Sequence, residues 1–403
     1  MGEGSALRRS LGQDPPEQIP PFRKAQRRND TLRPTFETGE STVILMRLHL
    51  PLLFVLTTVA NAQWTKVDVP TTASLRGLSV INQNVVWASG TGGTVIKTID
   101  GGKSWSVIAV PGAEKLDFRG IHAFDEKNAL IMSSGPAEQG QAQIFRTQDG
   151  GKSWQKVFEE KRPGIFFDAI AFWDRRHGIV LSDPIDGHFA LFRTDDGGAT
   201  WKQIPPEALP PSLPNEGAFA ASNSCLTVQG EQNVWFASGG AKVARVFRSG
   251  DRGKTWSVAE TPMHPVNASS GIFSLAFQDA KNGVAVGGDY AHPDGSDLPN
   301  VMFTTDGGRS WQVGAGTKPA GMYLSSVALV TGRAQPPVNF FAVGTRGSVN
   351  PPVGAEPSVS EPGIGAENLN SVAISGLSRS EAWAVGPKGA VRRTHVVRYT
   401  FAP

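Results

Sequence analysis

The stretch Thr98-Ile-Asp-Gly-Gly-Lys-Ser-Trp105 returns four more times, as Thr147-Gln-Asp-Gly-Gly-Lys-Ser-Trp154, Thr194-Asp-Asp-Gly-Gly-Ala-Thr-Trp201, Ser249-Gly-Asp-Arg-Gly-Lys-Thr-Trp256 and Thr304-Thr-Asp-Gly-Gly-Arg-Ser-Trp311. Successive copies start 49, 47, 55 and 55 residues apart. Self-similarity at such a period marks a chain built from stacked repeat units. In every copy the Asp and hydroxyl side chains can bond local backbone and the glycines permit positive φ, so each reads as a tight turn between two strands. The Trp closing each copy is placed to plug the sheet.

The pattern is the Asp-box, Ser/Thr-x-Asp-x-Gly-x-Ser/Thr-Trp, and five copies predict an all-β propeller. The box occurs in sialidases, in other glycoside hydrolases and in non-catalytic propellers, so it carries fold more than function. Asp100, Trp105, Asp149, Trp154, Asp196, Trp201, Asp251, Trp256, Asp306 and Trp311 are therefore read as structural.

A chain of 403 residues could hold two or three average domains, but a repeat array can occupy that length as one. Gly 46, Pro 29 and only 19% charged residues suit many short strands joined by turns, with almost no helix. Residues 1–45 are rich in Arg, Glu, Pro and Thr and predict disorder or a mis-assigned start. From Met46 a single Arg, a short apolar run and Ala60-Asn61-Ala62 read as a signal peptide over 46–62, cleaved before Gln63, with Met46 as the expected start. The uninterrupted apolar part after His49 is shorter than the roughly 20 residues of a spanning helix. The expected product is one propeller domain over 63–403, exported to the periplasm or the exterior. No Cys lies just beyond the cleavage site, and Cys225, alone, can form no internal disulfide. Loss of residues 1–62 removes eight of the 39 Lys/Arg and six of the 36 Asp/Glu, leaving a net charge near +1. No basic stripe with interleaved aromatics points to nucleic acid.

Trp64-Thr-Lys-Val-Asp-Val-Pro70 resembles the segment at the end of the first box, Trp105-Ser-Val-Ile-Ala-Val-Pro111, and so predicts an orphan fourth strand. The last unit, from Asn370 to Thr394, supplies three strands and no box, so the N-terminal strand is expected to complete it and close the ring. First strands begin near Arg76, Arg119, Asp168, Asn223, Phe273, Ser325 and Asn370, which makes seven blades. The next residues along, Gly77, Gly120, Ala169, Ser224, Ser274, Ser326 and Ser371, are all small, as wedges converging on an axis require. Trp87, Trp235 and Trp383 are the expected filling between blades. Blade six is irregular, with no box and a Pro/Gly-rich stretch over 346–365.

These strand patterns, the boxes and the N-terminal clasp resemble the photosystem II stability/assembly factor family of seven-bladed propellers and its exported bacterial relatives, over about residues 63–397. The resemblance implies a non-catalytic scaffold that binds a membrane-protein segment, in part through a basic patch. Arg76, Arg119, Arg175 and Arg176 are the positions that could correspond, and the near-neutral mature charge departs from that pattern.

The rim opposite the boxes carries the longer loops, where propellers place recognition. Candidate catalytic residues there are Asp183, Asp186, Glu216, Asp289 and Tyr290. Arg76, Arg119, Asp168, His188 and Asn223 are candidate ligand or partner contacts. Solvated loops with Asx-type turns are the plain alternative. A glycosidase would need two carboxylates roughly 5 to 9.5 Å apart. A sialidase would need an arginine triad and a tyrosine nucleophile, and the Arg-Ile-Pro element of that family is missing. Asp289, Asp294 and Asp297 offer oxygen ligands for calcium without EF-hand spacing. No dinucleotide, haem or Cys-pair motif supports redox chemistry. The expectation is an exported, monomeric, non-catalytic propeller that binds an envelope protein or complex, spans no membrane after processing and needs no cofactor. The alternative is a carbohydrate-active hydrolase acting on a glycan.

Overall fold

A computed structural model describes residues 64–294, 298–313, 322–330, 340–349, 367–375 and 381–395. The expected leader, the cleavage point at Gln63 and Asp297 lie outside these residues. Seven antiparallel sheets form the blades of a propeller; six have four strands, and the sixth shows three, Leu324–Leu329, Phe340–Gly344 and Gly347–Val349. Most of the Pro/Gly-rich stretch of that blade, residues 350–366, lies outside the described residues.

Seven buried apolar clusters each join two neighbouring blades, so the core is a ring of seven interfaces rather than one centre. Trp87, Trp235 and Trp383 are buried within three of them. The innermost strands are Leu75–Val80, Phe118–Ala123, Phe167–Phe172, Leu226–Gln229, Ser270–Phe277, Leu324–Leu329 and Ser371–Ile374. A Cβ on Gly77 would stand 2.3 Å from Ser89 Oγ, and one on Gly120 would stand 2.9 Å from Asn223 Oδ1, so the small residues are required by close approach. The serines do more than save space. Ser274 Oγ accepts Val327 N–H at 2.9 Å and Ser326 Oγ accepts Val372 N–H at 3.2 Å, supplying partners to backbone donors on the inner edge of the next blade.

The boxes behave alike. In the first, Asp100 accepts hydrogen bonds from Thr98 Oγ1 (2.8 Å), Ser104 N (2.9 Å) and Ser104 Oγ (2.6 Å), while Thr98 Oγ1 accepts Gly102 N–H at 2.9 Å. Gly101 N–H donates to Asn84 O at 3.0 Å, tying the box to the turn between the first two strands of its blade, and Gly150, Gly197, Arg252 and Gly307 repeat that tie. Both turns therefore lie on one rim, the box rim. The links between blades and the turns between second and third strands form the other, the loop rim.

Thr65–Lys66 pairs with Val391–His395 as the outer strand of the seventh blade, in the register Thr65↔Arg393 and Lys66↔Arg392. Trp64 extends the clasp into blade six, where its Nε1 donates to Ser348 Oγ at 2.9 Å and its ring meets Phe341 edge-on. Across the closing interface Arg393 donates to Gly101 O at 2.8 Å, and Asn370 Nδ2 donates to Leu75 O at 2.8 Å.

Candidate functional site at the loop-rim mouth of the channel

Five innermost strands carry a β-bulge at one homologous place, with Arg76, Arg119, Asp168, Phe273 and Ser325 as the extra residue. A bulge re-aims a side chain and interrupts the ladder, so Arg76, Arg119, Asp168 and Phe273 are turned toward the axis, whereas Ser325 Oγ donates to Val343 O of its own blade (3.2 Å) and to Leu369 O (2.9 Å). Each stands immediately before the small residue of its strand.

The link between blades three and four, residues 204–225, closes the channel below them. Ser222 Oγ donates across to Ser325 O at 2.8 Å, and Ser371 Oγ donates to Ser222 O at 3.4 Å. Asn223, held at φ 66°, accepts Ile170 N–H at 2.8 Å and returns an Nδ2 bond to Ile170 O at 3.1 Å. The mouth is thus a blind cup floored by a plug. Glu216 pins that plug: its carboxylate, with no exposed side-chain surface, takes two bonds from Arg245 (2.8 and 2.5 Å), one from Ser238 Oγ (2.6 Å) and one from Leu213 N (2.8 Å).

Charges of both signs meet in the cup. Arg119 Nε donates to Asp117 Oδ2 at 2.7 Å, Arg76 Nε lies 3.8 Å from the same oxygen, and both guanidiniums keep more than a quarter of their surface open. Burial, then Arg119, lowers the pKa of Arg76. Arg119 also lies over the Phe166 ring and reaches Ala220 O of the plug at 3.4 Å. Asp168 is only 1% exposed, and neither of its oxygens has a hydrogen-bond partner; burial first, and Asp183 next, push its pKa well above the carboxylate range. Asp183 accepts Ala218 N–H at 2.9 Å and is pushed up to about 6 by burial. Burial holds the nearby Cys225 thiol up as well. One wall is aromatic: Phe219 stacks on Phe273 with centroids 3.9 Å apart, and Tyr290 and Tyr323 meet Phe273 edge-on at 6.1 and 4.7 Å.

The structure brings Arg76, Arg119, Asp168 and Asp183 together with Tyr290 at the edge, and gives Asp186, Glu216, Asn223 and Asp289 other tasks. Asp186, expected in an open loop, occupies with Gly187 the two-residue turn of a hairpin whose strands run to Ile185 and from His188; both turn residues have positive φ, the geometry that Asp-Gly favours. Glu216 and Asn223 serve the plug. Asp289 is consumed by its own turn, accepting from Asn267 Nδ2 (2.7 Å), Ser269 Oγ (2.6 Å) and Ala291 N (2.9 Å), with His292 Nδ1 at 2.9 Å. Asp294 pairs with Arg346 at 2.9 Å, and no group of three or more ligands able to hold a metal ion occurs among the described residues. Tyr290, 55% exposed, stands at the edge of the aromatic wall. Asp117, Phe166, Phe219, Phe273 and Tyr323 were not among the expected residues. For Phe273 the signal was present, since it precedes Ser274 as Arg76 precedes Gly77.

Two clefts lie on the box rim. One of about 350 Å³ lies between blades three and four; of its lining, Arg193 pairs with Asp195, and Arg252 and His177 pair with the neighbouring Asp174. The other, about 380 Å³ and shallow, lies beside His122, Phe124 and Phe172. Arg175 and Arg176 are on this rim, not at the mouth: Arg175 pairs with Asp125 at 2.8 Å, and Arg176 reaches Asp195 O.

A ring of seven blades, five of them with an Asp-box, closed by an N-terminal strand and open at an amphoteric cup, defines the class as a closed seven-bladed Asp-box propeller. The family model described as photosynthesis system II assembly factor YCF48 matches residues 56–209, and over that stretch the chain is similar to that family. YCF48 from Cyanidioschyzon merolae is similar at 17% identity and TM-score 0.56, over 83% of this chain and 99% of that one. Virginiamycin B lyase from Staphylococcus aureus is similar at 12% identity and TM-score 0.56, over 84% and 99%. The WD40 propeller domain of Doa1 is similar at 12% and 0.52, over 83% and 96%. At these identities the likeness is one of fold. No curated protein sequence matches the chain. No helix among the described residues is long and apolar enough to cross a membrane.

Proposed function

We propose that the protein is an exported, non-catalytic scaffold whose loop-rim mouth docks an envelope protein or complex, as an assembly or stability factor. The observation that carries this reading is the pair Arg76 and Arg119, presented side by side on bulges at a rigid, blind cup beside an aromatic wall. A cationic pair next to an aromatic wall whose edge residue, Tyr290, is exposed suits an acidic or carboxylate-bearing protein segment. The YCF48 family match supports a scaffold role, and the leader-like 46–62 segment supports export. Photo-crosslinking from Tyr290 in an envelope fraction should capture a defined partner that is lost when Arg76 and Arg119 are both replaced by Glu while the melting temperature is retained. A footprint centred instead on Asp100, Asp149, Asp196, Asp251 and Asp306 would overturn the choice of face.

The second reading, a glycoside hydrolase, is favoured by one observation: Asp183, raised to about 6, lies near Asp168, which burial also raises, and such carboxyl pairs suit proton transfer. Turnover of any member of an aryl-glycoside panel, abolished by Asp183→Asn, would establish it over the scaffold reading.

A further inference from the structure

Four buried polar atoms without a hydrogen-bond partner gather at the mouth: Arg76 Nε, Asp117 Oδ1 and both oxygens of Asp168. The other orphans among the described residues are scattered, mostly tryptophan Nε1 atoms of the boxes and the second strands. Unpaired buried groups are costly, and a cluster holding a donor and acceptors together calls for a partner of both kinds. A purely anionic ligand would answer the arginines but bring no donor to the oxygens of Asp168. A purely cationic one would answer the carboxyls but face Arg76 and Arg119. A carboxylate and an ammonium on the same carbon answer both, and the exposed ring of Tyr290, with the half-buried Tyr323 across Phe273 from it, offers the adjoining surface to an aromatic side chain.

We propose that the cup binds a free α-amino acid with an aromatic side chain, its carboxylate held by Arg76 and Arg119 and its ammonium by Asp168, with Asp183 behind. This goes beyond protein docking and stands whether or not a protein docks at the same rim. The groups facing Asp168 are Arg119 from blade two, Asp183 from its own blade and the Cys225 thiol from blade four; of these only Arg119 favours its ionised form, and burial favours the neutral carboxyl. An arriving ammonium ionises it, so binding sends one proton from Asp168 to the buffer, with no other bond made or broken.

The test is calorimetric titration of the whole protein at pH 7 with L-phenylalanine, hydrocinnamate, which lacks the ammonium, and phenethylamine, which lacks the carboxylate, each in two buffers of different ionisation enthalpy. Expected are an affinity for L-phenylalanine at least about tenfold above either analogue and a buffer-dependent heat that reports proton release with L-phenylalanine, and with phenethylamine where it binds, but not with hydrocinnamate. Asp168→Asn should bring L-phenylalanine down to the level of hydrocinnamate. Should that variant fail to fold, the buffer pair on the unaltered protein still decides. Equal binding of hydrocinnamate, no proton release, or no heat with millimolar L-phenylalanine would each overturn the proposal, and none of them bears on partner capture through the Arg76 and Arg119 pair.

Discussion

Asp183 and the box aspartates show one residue type tuned in opposite directions. Asp183 is pushed up to about 6 because burial outweighs its one backbone donor, whereas Asp100 is lowered to about 2 chiefly by the hydrogen bonds from Ser104. A carboxyl with a raised folded pKa binds more protons folded than unfolded, so its contribution to stability is fully present below about 4 and falls away as pH rises through about 6. Asp183→Asn, which keeps an oxygen for Ala218 N–H, should therefore gain about 3 kcal/mol relative to the parent between pH 4 and pH 7; denaturant melts at the two pH values check it. A difference that did not grow with pH would mean that the site is wetter than its burial implies. Among the box tryptophans depth decides. Trp201 is buried in the interface of blades two and three, and Trp201→Ala should cost about 3–5 kcal/mol. Trp154 is only half-buried, so Trp154→Ala should cost less, and the exposed Lys152→Ala little, on the same melts.

At the scale of elements, the plug and the clasp are the two segments that leave their own blade to hold another part of the ring. Glu216→Gln leaves Arg245 buried without its counter-charge and should destabilise by about 3–5 kcal/mol; faster hydrogen exchange over 213–222 than over the inner strands would show that the plug loosens first. Deleting residues 64–69 removes the outer strand of blade seven and the Trp64 contact with Ser348, exposing a strand edge. A lowered melting temperature with a rise in oligomers on size exclusion is expected, and an unchanged melt would count against the clasp. The clasp was legible because the first strand repeats the sequence at the end of a box. The plug was not: Glu216 and its partner Arg245 stand 29 residues apart on different elements with no local pattern between them. Asp186-Gly187 carried a clear turn signature, and the loop expected there is two continuous strands because the hairpin rule outweighs the polarity of the segment. Arg76 and Arg119 were found at the mouth because the inner strands align by their small residues, and alignment alone could not tell that a bulge turns them toward the axis.

For the whole molecule, the opposed carboxylates set a pH profile. Asp100, Asp149, Asp196 and Asp306, all lowered to about 2, favour the fold above their unfolded pKa near 4 and withdraw support as pH falls toward 2, while Asp183 withdraws its own on the way up to 6. Stability should peak on the acid side of neutrality, and in Asp183→Asn the optimum should move upward in a series of thermal melts from pH 3 to pH 8. The clasp has a further consequence, in the order of events as the chain is made. Thr65 bonds to Arg393, 328 positions later, so the first described strand to leave the ribosome has no place to go until the final blade exists. Each blade can form from neighbours in sequence as it emerges, but the circle can be shut only as the last act, after the longest loop in the molecule has been closed at its entropic cost. Until then the nascent array is an open arc with a bare edge at either end, and its most vulnerable moment is the interval between making the sixth blade and finishing the seventh.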